Sequence, residues 1–160
     1  TSLPELRLPL LTDLGVDNNR LESLGPLGFL PSLERLSANH NRIASLGAPL
    51  AASPLLHTLQ LAFNLLGPAE AERAVPVFPR LRKLQLNDNP AASDLMEAYR
   101  PWALGLAPHL DELDNEAVEE PDRCRALASR LAGDPWLPHT LRAAASSSSA
   151  APAKASEGAS

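Results

Sequence analysis

A leucine pattern that recurs four times constrains the fold of this chain more than any other feature. The spacing L-x-x-L-x-L-x-x-N-x-L fits residues 11–21, 33–43 and 56–66, and a fourth copy with alanine in the last place fits residues 81–91. The asparagines of these copies stand at positions 19, 41, 64 and 89, which gives spacings of 22, 23 and 25 residues. Four copies in one register predict a solenoid of stacked repeats rather than one irregular core.

Each position of the pattern has a physical reason. In L-x-L, the two apolar side chains of a short strand point the same way into the stack, and strands of successive repeats are expected to pair in parallel. The turn after each strand leaves backbone groups between neighbouring repeats, and an inward asparagine has the donors and the acceptor that satisfy them. We therefore predict structural roles for these residues: Asn19, Asn41, Asn64 and Asn89. The predicted fold class is α/β, a right-handed leucine-rich-repeat solenoid with a parallel concave sheet and short helices or 3₁₀ turns on the convex side.

The chain divides into five predicted segments. Residues 1–10 are the remnant of an upstream repeat or the end of an N-terminal cap, and residues 11–91 hold the four repeats. The returns near Gly28 and Pro49 are rich in glycine and proline, whereas residues 68–75 have good helix formers after a proline. Residues 92–118 are predicted to form a C-terminal cap. Residues 119–142 follow as a helix (119–131) and an extension, and residues 143–160 are an Ala/Ser-rich tail that we expect to be disordered.

The cap has its own sequence features. Ser93 is a candidate N-cap of a helix on which Met96, Tyr99 and Ala103 share one face, and Pro101 should kink or restart that helix. Leu110-x-x-Leu113 is predicted to be a last edge strand.

This cap resembles that of a known family. The run N-P…Y-R…L…P-x-L-x-x-L-D…V, together with the repeats, is similar to the 22-residue leucine-rich-repeat proteins over residues 11–118. That family includes the nuclear regulatory subunit of protein phosphatase 1, the A-prime protein of the U2 spliceosomal particle and the leucine-rich light chain of axonemal dynein. The resemblance implies that partners bind on the concave sheet, and that Tyr99 and Trp102 belong to the cap.

The side chains that face outward on the concave sheet are therefore the candidate partner-binding residues. They run from acidic side chains in the first repeat to basic ones in the fourth, which would favour a partner with the opposite gradient. The alternative is an ordinary solvated polar face. The predicted set comprises Asp13, Asp17, Arg35, Ser37, Asn39, His40, Thr58, Gln60, Phe63, Arg82, Lys83, Gln85 and Asn87.

Of three aromatic residues, two have two possible roles each. Phe63 replaces a polar residue of the other repeats, so it is either an anchor for a partner or a phenylalanine that tucks into the turn and supports the stack. Trp102 is predicted to pack in the cap core. Trp136 lies beyond the cap, and it either packs on the cap helix or docks a partner.

Nothing in the sequence points to catalysis. The four histidines lack metal-ligand spacing, the single cysteine, Cys124, has no cysteine neighbour, and no phosphate loop or nucleophile motif is present. We expect no cofactor, no metal and no small-molecule substrate, and the chain is not expected to be an enzyme. The net charge of −5 does not favour direct nucleic-acid or membrane binding. One cysteine also excludes an internal disulfide, which favours a reducing compartment.

The predicted function is a protein–protein interaction scaffold or adaptor subunit of a large intracellular assembly. The resemblance favours a cytoplasmic location in the cilium or axoneme. The alternatives are a regulatory subunit of a protein phosphatase and a nuclear, spliceosomal scaffold.

Overall fold

The computed structural model describes residues 9–25, 30–47 and 53–131 of the chain. Several predictions fall outside these ranges: most of the N-terminal remnant, the return positions Gly28 and Pro49, Trp136, and the extension and tail after residue 131. The fold described below is that of the three ranges.

A six-stranded sheet in the order β1-β2-β3-β4-β5-β6 forms one side of the molecule. The first four strands are three residues long, one per repeat, and they pair in parallel with no register shift, so that Leu14, Leu36, Leu59 and Leu84 lie in one row. Their bounds are β1 (Asp13–Gly15), β2 (Arg35–Ser37), β3 (Thr58–Gln60) and β4 (Lys83–Gln85). The predicted solenoid is confirmed.

Helix α1 (Pro68–Ala74) fills the longest return between repeats and is followed by a 3₁₀ turn (Val75–Val77). Pro68 stands at the start of the helix, where its missing N–H is not needed. The Glu70 carboxylate accepts hydrogen bonds from the Ser45 hydroxyl (3.0 Å) and the Leu46 N–H (3.1 Å). The helix is therefore tied to the preceding repeat by polar contacts as well as by its buried Ala71.

The asparagine of each inner repeat connects two neighbouring turns. The Asn64 Oδ1 accepts from Ile43 N–H (2.9 Å), and its Nδ2 donates to Ala38 O (2.9 Å) in the previous repeat and to Leu61 O (3.0 Å) in its own. Asn41 and Asn89 repeat this arrangement one unit earlier and one unit later. All three are buried, as predicted.

The prediction of an inward role is wrong for Asn19. Its side chain is exposed, and among the described residues its Nδ2 donates to Val16 O and Asp17 O of its own turn, both at 2.9 Å. Within the described ranges, no turn of a preceding repeat lies beside this amide.

The cap begins with two short helices separated by a 3₁₀ turn. They are α2 (Pro90–Leu95), Met96–Ala98 and α3 (Tyr99–Leu106). Asn89, not Ser93, is the N-cap residue, since Pro90 already starts α2. Met96 does not share a buried face with Tyr99 and Ala103: it has φ 48° and is 78% exposed. The helix is interrupted at Met96–Ala98, before Pro101. Pro101 lies in the first turn of α3, where a proline is tolerated.

Leu113 belongs to a strand, but this strand is not the edge of the sheet. β5 (Glu112–Leu113) pairs in parallel with β4, and β6 (Glu116–Ala117) adds to it in the antiparallel direction. The connecting Asp114 and Asn115 have φ of 54° and 66°, as a two-residue hairpin turn of type I′ requires.

Helix α4 (Glu120–Leu131) packs on α3 and completes the described structure. Arg100 of α3 donates to the Glu116 carboxylate (3.0 Å), to Ala117 O (2.8 Å) and to the Asp122 carboxylate (2.9 Å). Arg123 of α4 donates to the carbonyls of Pro108 and Leu110. None of the residues of α4 is fully buried. Charged hydrogen bonds therefore help to hold this helix in place.

The core is a single cluster of leucines and small apolar residues that runs from Leu21 to Leu113. None of the helices in the described ranges has the length and apolar character that crossing a lipid bilayer demands.

Candidate interaction surface

Two rows of side chains cross the exposed face of the sheet. The residues that begin the strands are paired in register, and so are those that end them. The leucine between them points into the core, so both rows must lie on the other face. The first row is Asp13, Arg35, Thr58 and Lys83; the second is Gly15, Ser37, Gln60 and Gln85. We call them the strand face.

The strand face contains a depression of about 500 Å³. Glu112 of β5 and Asn115 of the hairpin turn line it together with five predicted residues: Arg35, Thr58, Gln60, Lys83 and Gln85. Glu112 and Asn115 were not predicted, because their position depends on the cap folding back to pair with β4. The Asp114-Asn115 dipeptide, which favours a tight turn, was the only local signal for this arrangement.

The predicted gradient of charge along the strand face is wrong. Arg35 forms an ion pair with Asp13, and this guanidinium, helped by the Thr12 hydroxyl, holds the pKa of Asp13 below its ordinary value. At the other end, the Lys83 ammonium lies 2.7 Å from the Glu112 carboxylate. Arg82 lies 3.7 Å from Asp111. Each end therefore carries both signs of charge.

Asp17 and Asn39 serve the solenoid itself. The Asp17 carboxylate accepts from the Asn39 N–H (2.6 Å) and the Ser37 hydroxyl (2.7 Å), and the Asn39 Oδ1 accepts from the Ala62 N–H (2.8 Å). The next equivalent position is Ala62, which is buried and has no polar side chain to continue the series. The Asn87 N–H instead donates a hydrogen bond to the Asp114 carboxylate (3.0 Å). These side chains are half-buried and less available to a partner than the strand face.

A third row lies where the strands turn away. Its four residues are in the left-handed region of backbone conformation, and they are Asn18 (φ 58°), His40 (φ 55°), Phe63 (φ 55°) and Asp88 (φ 56°). All four are exposed. We call them the turn row. Asparagine, aspartate and histidine adopt this conformation more readily than phenylalanine, for which the backbone cost is about 1–2 kcal/mol.

Phe63 is the aromatic residue of this row. It is 46% exposed, and its ring stacks on that of His40 with centroids 4.3 Å apart and planes inclined by 9°. The ring does not tuck into the turn, but it contacts the preceding repeat through His40, so the predicted support of the stack is met in part; its role as an anchor for a partner stays a prediction. The ring is available at the surface next to the strand face.

The two aromatic residues of the cap pack inside it. Trp102 is buried, and its Nε1 donates to the Glu72 carboxylate of α1 at 3.1 Å. Tyr99 is half-buried beside it, with ring centroids 6.1 Å apart. Burial, and then the Asp114 carboxylate, raise the pKa of Tyr99 above its ordinary value.

The described residues contain no group of three or more His, Cys, Asp or Glu side chains placed to hold a metal ion. The surface offers polar side chains, paired charges and one stacked aromatic pair, which suit recognition of another macromolecule by contact.

Comparison with known proteins places these features in a family. No protein-family model matches the chain. It is 34% identical over 130 residues to the U2 small nuclear ribonucleoprotein A' of Neurospora crassa, which covers 75% of this chain and 51% of that protein. It is 35% identical over 111 residues to the human cilia- and flagella-associated protein 410, with 69% of this chain and 43% of that protein covered. The chain thus spans about half or less of the length of these relatives.

A solved structure matches as well. The crystal structure of the Drosophila melanogaster SNF/U2A' complex superposes with a TM-score of 0.69 at 26% identity, over 79% of this chain and 75% of that one. The repeat pattern, the sheet and the closing cap agree with this comparison. The chain is therefore a member of the leucine-rich-repeat proteins of the 22-residue type that end in a C-terminal cap.

Proposed function

We propose that this chain is a non-catalytic scaffold subunit that binds a protein partner through the strand face and the adjoining turn row. The observation that carries the proposal is Phe63, a half-exposed aromatic ring three residues after the end of β3, held there at a backbone cost. Aromatic residues are enriched among the side chains that dominate binding energies at interfaces.

The depression supports the same proposal. Its lining has amide and hydroxyl groups that can donate and accept hydrogen bonds, from Thr58, Gln60 and Gln85. The charged side chains at the border of the depression are already paired with each other. They therefore favour one orientation of a partner more than they attract it. Such a surface suits a partner segment with a polar face and one apolar or planar group for the aromatic anchor.

The assembly that contains the partner is proposed from the relatives. The name of the human relative places that protein in cilia and flagella. We therefore propose a cytoplasmic role in the cilium or axoneme. The similarity to the U2 ribonucleoprotein A' and to its complex with SNF favours a nuclear, spliceosomal scaffold as the second candidate.

Affinity purification of the tagged chain from native lysate tests the surface. The variant carries Phe63→Asn, Gln60→Ala and Gln85→Ala, which leave the paired charges intact. The matched control carries Arg80→Ala and Arg125→Ala, two exposed side chains away from the strand face. We expect the parent and the control to retain one defined set of proteins and the triple variant to lose it.

The same experiment separates the two assemblies. Partners that remain with salt-washed axonemes support the ciliary role, whereas nuclear partners of the U2 particle support the spliceosomal one. If the triple variant retains every partner of the parent, binding does not use this surface and the proposal is wrong.

A further inference from the structure

The turn row is spaced by the hydrogen bonds of the sheet. The N–H groups of Asn18, His40 and Phe63 donate to the carbonyls of Asn39, Ala62 and Asn87, at 2.9, 3.0 and 3.1 Å. Each of these three residues is thus bonded to the residue that precedes its neighbour in the next repeat. Such strands lie about 4.8 Å apart, which is the distance at which planar groups stack.

The Phe63 ring has two faces, and the side chain as a whole is 46% exposed. His40, in the preceding repeat, covers the first by stacking at 4.3 Å. Because the rings stack along the row, the opposite face is turned toward the repeat that carries Asp88. The two exposed residues, Phe63 and Asp88, therefore border the same space on the surface.

Asp88 differs from the acidic residues of the strand face. Asp13 and Glu112 are paired with Arg35 and Lys83. The Asp88 carboxylate accepts a hydrogen bond from the neutral Asn87 amide at 2.6 Å, and none of the ion pairs among the described residues includes it. It is a negative charge that a cation from outside can approach without displacing another.

We propose that the surface formed by the neighbouring residues Phe63 and Asp88 binds an arginine side chain of the protein partner. The planar guanidinium stacks on the exposed part of the Phe63 ring, and its N–H groups donate to the Asp88 carboxylate. Arginine fits better than lysine, because an ammonium cannot stack and presents no planar set of donors. This inference rests on the proposed function and names the side chain that the turn row selects.

The test uses the isotopically labelled full chain and small probes, so that it does not depend on a partner. N-acetyl-arginine amide and N-acetyl-lysine amide are titrated separately, and the backbone amide shifts are followed by nuclear magnetic resonance. We expect saturable shifts at residues 40, 63 and 88 with the arginine probe. The lysine probe should bind about two- to fivefold more weakly, the ratio that corresponds to a stacking contribution at an exposed site.

Two variants keep the backbone conformation while removing one contact each. Phe63→Asn removes the ring and Asp88→Asn removes the charge, and asparagine tolerates the left-handed region in both places. Asp94→Asn, an exposed carboxylate on α2, makes the same change of net charge elsewhere. We expect the first two to abolish or strongly weaken the localised shifts and Asp94→Asn to leave them unchanged.

Three results would overturn the inference: no localised shifts, equal binding of the two probes, or equal loss in Asp88→Asn and Asp94→Asn. The purification experiment is independent of these results. If partners are lost with the triple variant while the arginine probe does not bind, the proposed function stands and the arginine assignment falls.

Discussion

At the residue scale, the four positions of the turn row require the same left-handed conformation but carry different side chains. The sequence alignment of the repeats identifies Asn18, His40, Phe63 and Asp88 as equivalent. Their backbone conformation could not be inferred from the phenylalanine, although asparagine and aspartate at two of the positions are compatible with a positive φ. The exposure of Phe63 depends on the direction of its ring, and the spacing of residues in the sequence does not predict that direction.

This conformation leads to a prediction about Phe63. We expect Phe63→Asn to change the free energy of unfolding by less than about 1 kcal/mol, since relief of the backbone cost offsets the lost stacking on His40. Phe63→Val should be clearly destabilising, by about 1–2 kcal/mol, because a β-branched residue is poorly tolerated there. Urea unfolding of both variants measures the difference. Equal stability of the two would contradict this account of the position.

At the element scale, the repeats were predictable and the end of the solenoid was only partly so. The L-x-L strands and the buried asparagines follow from local spacing, because each repeat meets a neighbour like itself. The hairpin from Glu112 to Ala117 and the break at Met96 depend on how the last repeat is covered. The paired charges of the strand face follow from that hairpin, since Glu112 reaches Lys83 only when β5 joins the sheet.

The asparagine series can be tested by a pair of substitutions. Asn64→Leu removes the acceptor for Ile43 N–H and the donor for three carbonyls, all in a buried site. We expect it to lower the free energy of unfolding by about 1–3 kcal/mol, as for buried polar groups left without partners. Asn19→Leu should cost much less, because that side chain is exposed. Similar losses in both variants, measured by denaturant unfolding, would show that burial does not set the effect.

Arg100 provides the second test at this scale. It joins α3 to β6 and to α4 through three acceptors, and its side chain is 27% exposed. We expect Arg100→Ala to destabilise the cap by about 1–2 kcal/mol and to increase hydrogen exchange in α4. Arg125→Ala, an exposed residue of α4, is the control. Unchanged exchange in α4 would mean that apolar packing alone holds the helix.

At the scale of the whole molecule, two groups of the cap, Asp122 and Tyr99, make the stability depend on pH. The Arg100 guanidinium holds the pKa of Asp122 below its ordinary value of 3.8, so this contribution is present above that pH and is lost as the pH falls through the lower, folded-state pKa. Burial raises the pKa of Tyr99 above its ordinary value of 10.0, so that contribution is complete below pH 10.0 and is lost as the pH rises beyond it.

The loss of stability at alkaline pH can be observed directly, since Tyr99 is the only tyrosine of the chain. We expect tyrosinate absorbance to appear together with the loss of circular dichroism, because the ring ionises when the cap opens. A tyrosinate signal near pH 10 in a chain that remains folded would contradict the burial of this hydroxyl. Denaturation at acid pH should respond to Arg100→Ala, which removes the partner of Asp122.

The antiparallel strand β6 limits the end of the solenoid at which repeats can be added. Each strand from β1 to β4 pairs in parallel with the next one, whereas β6 runs the opposite way to β5 and presents an edge that a further repeat of the same type does not match. The number of repeats can therefore change only upstream of β5. Insertion of one more unit before the cap would lengthen both rows of the strand face and the turn row by one position each. The end of the sheet formed by β5 and β6 is thus fixed, whereas the number of repeats sets the length of partner that the surface can contact.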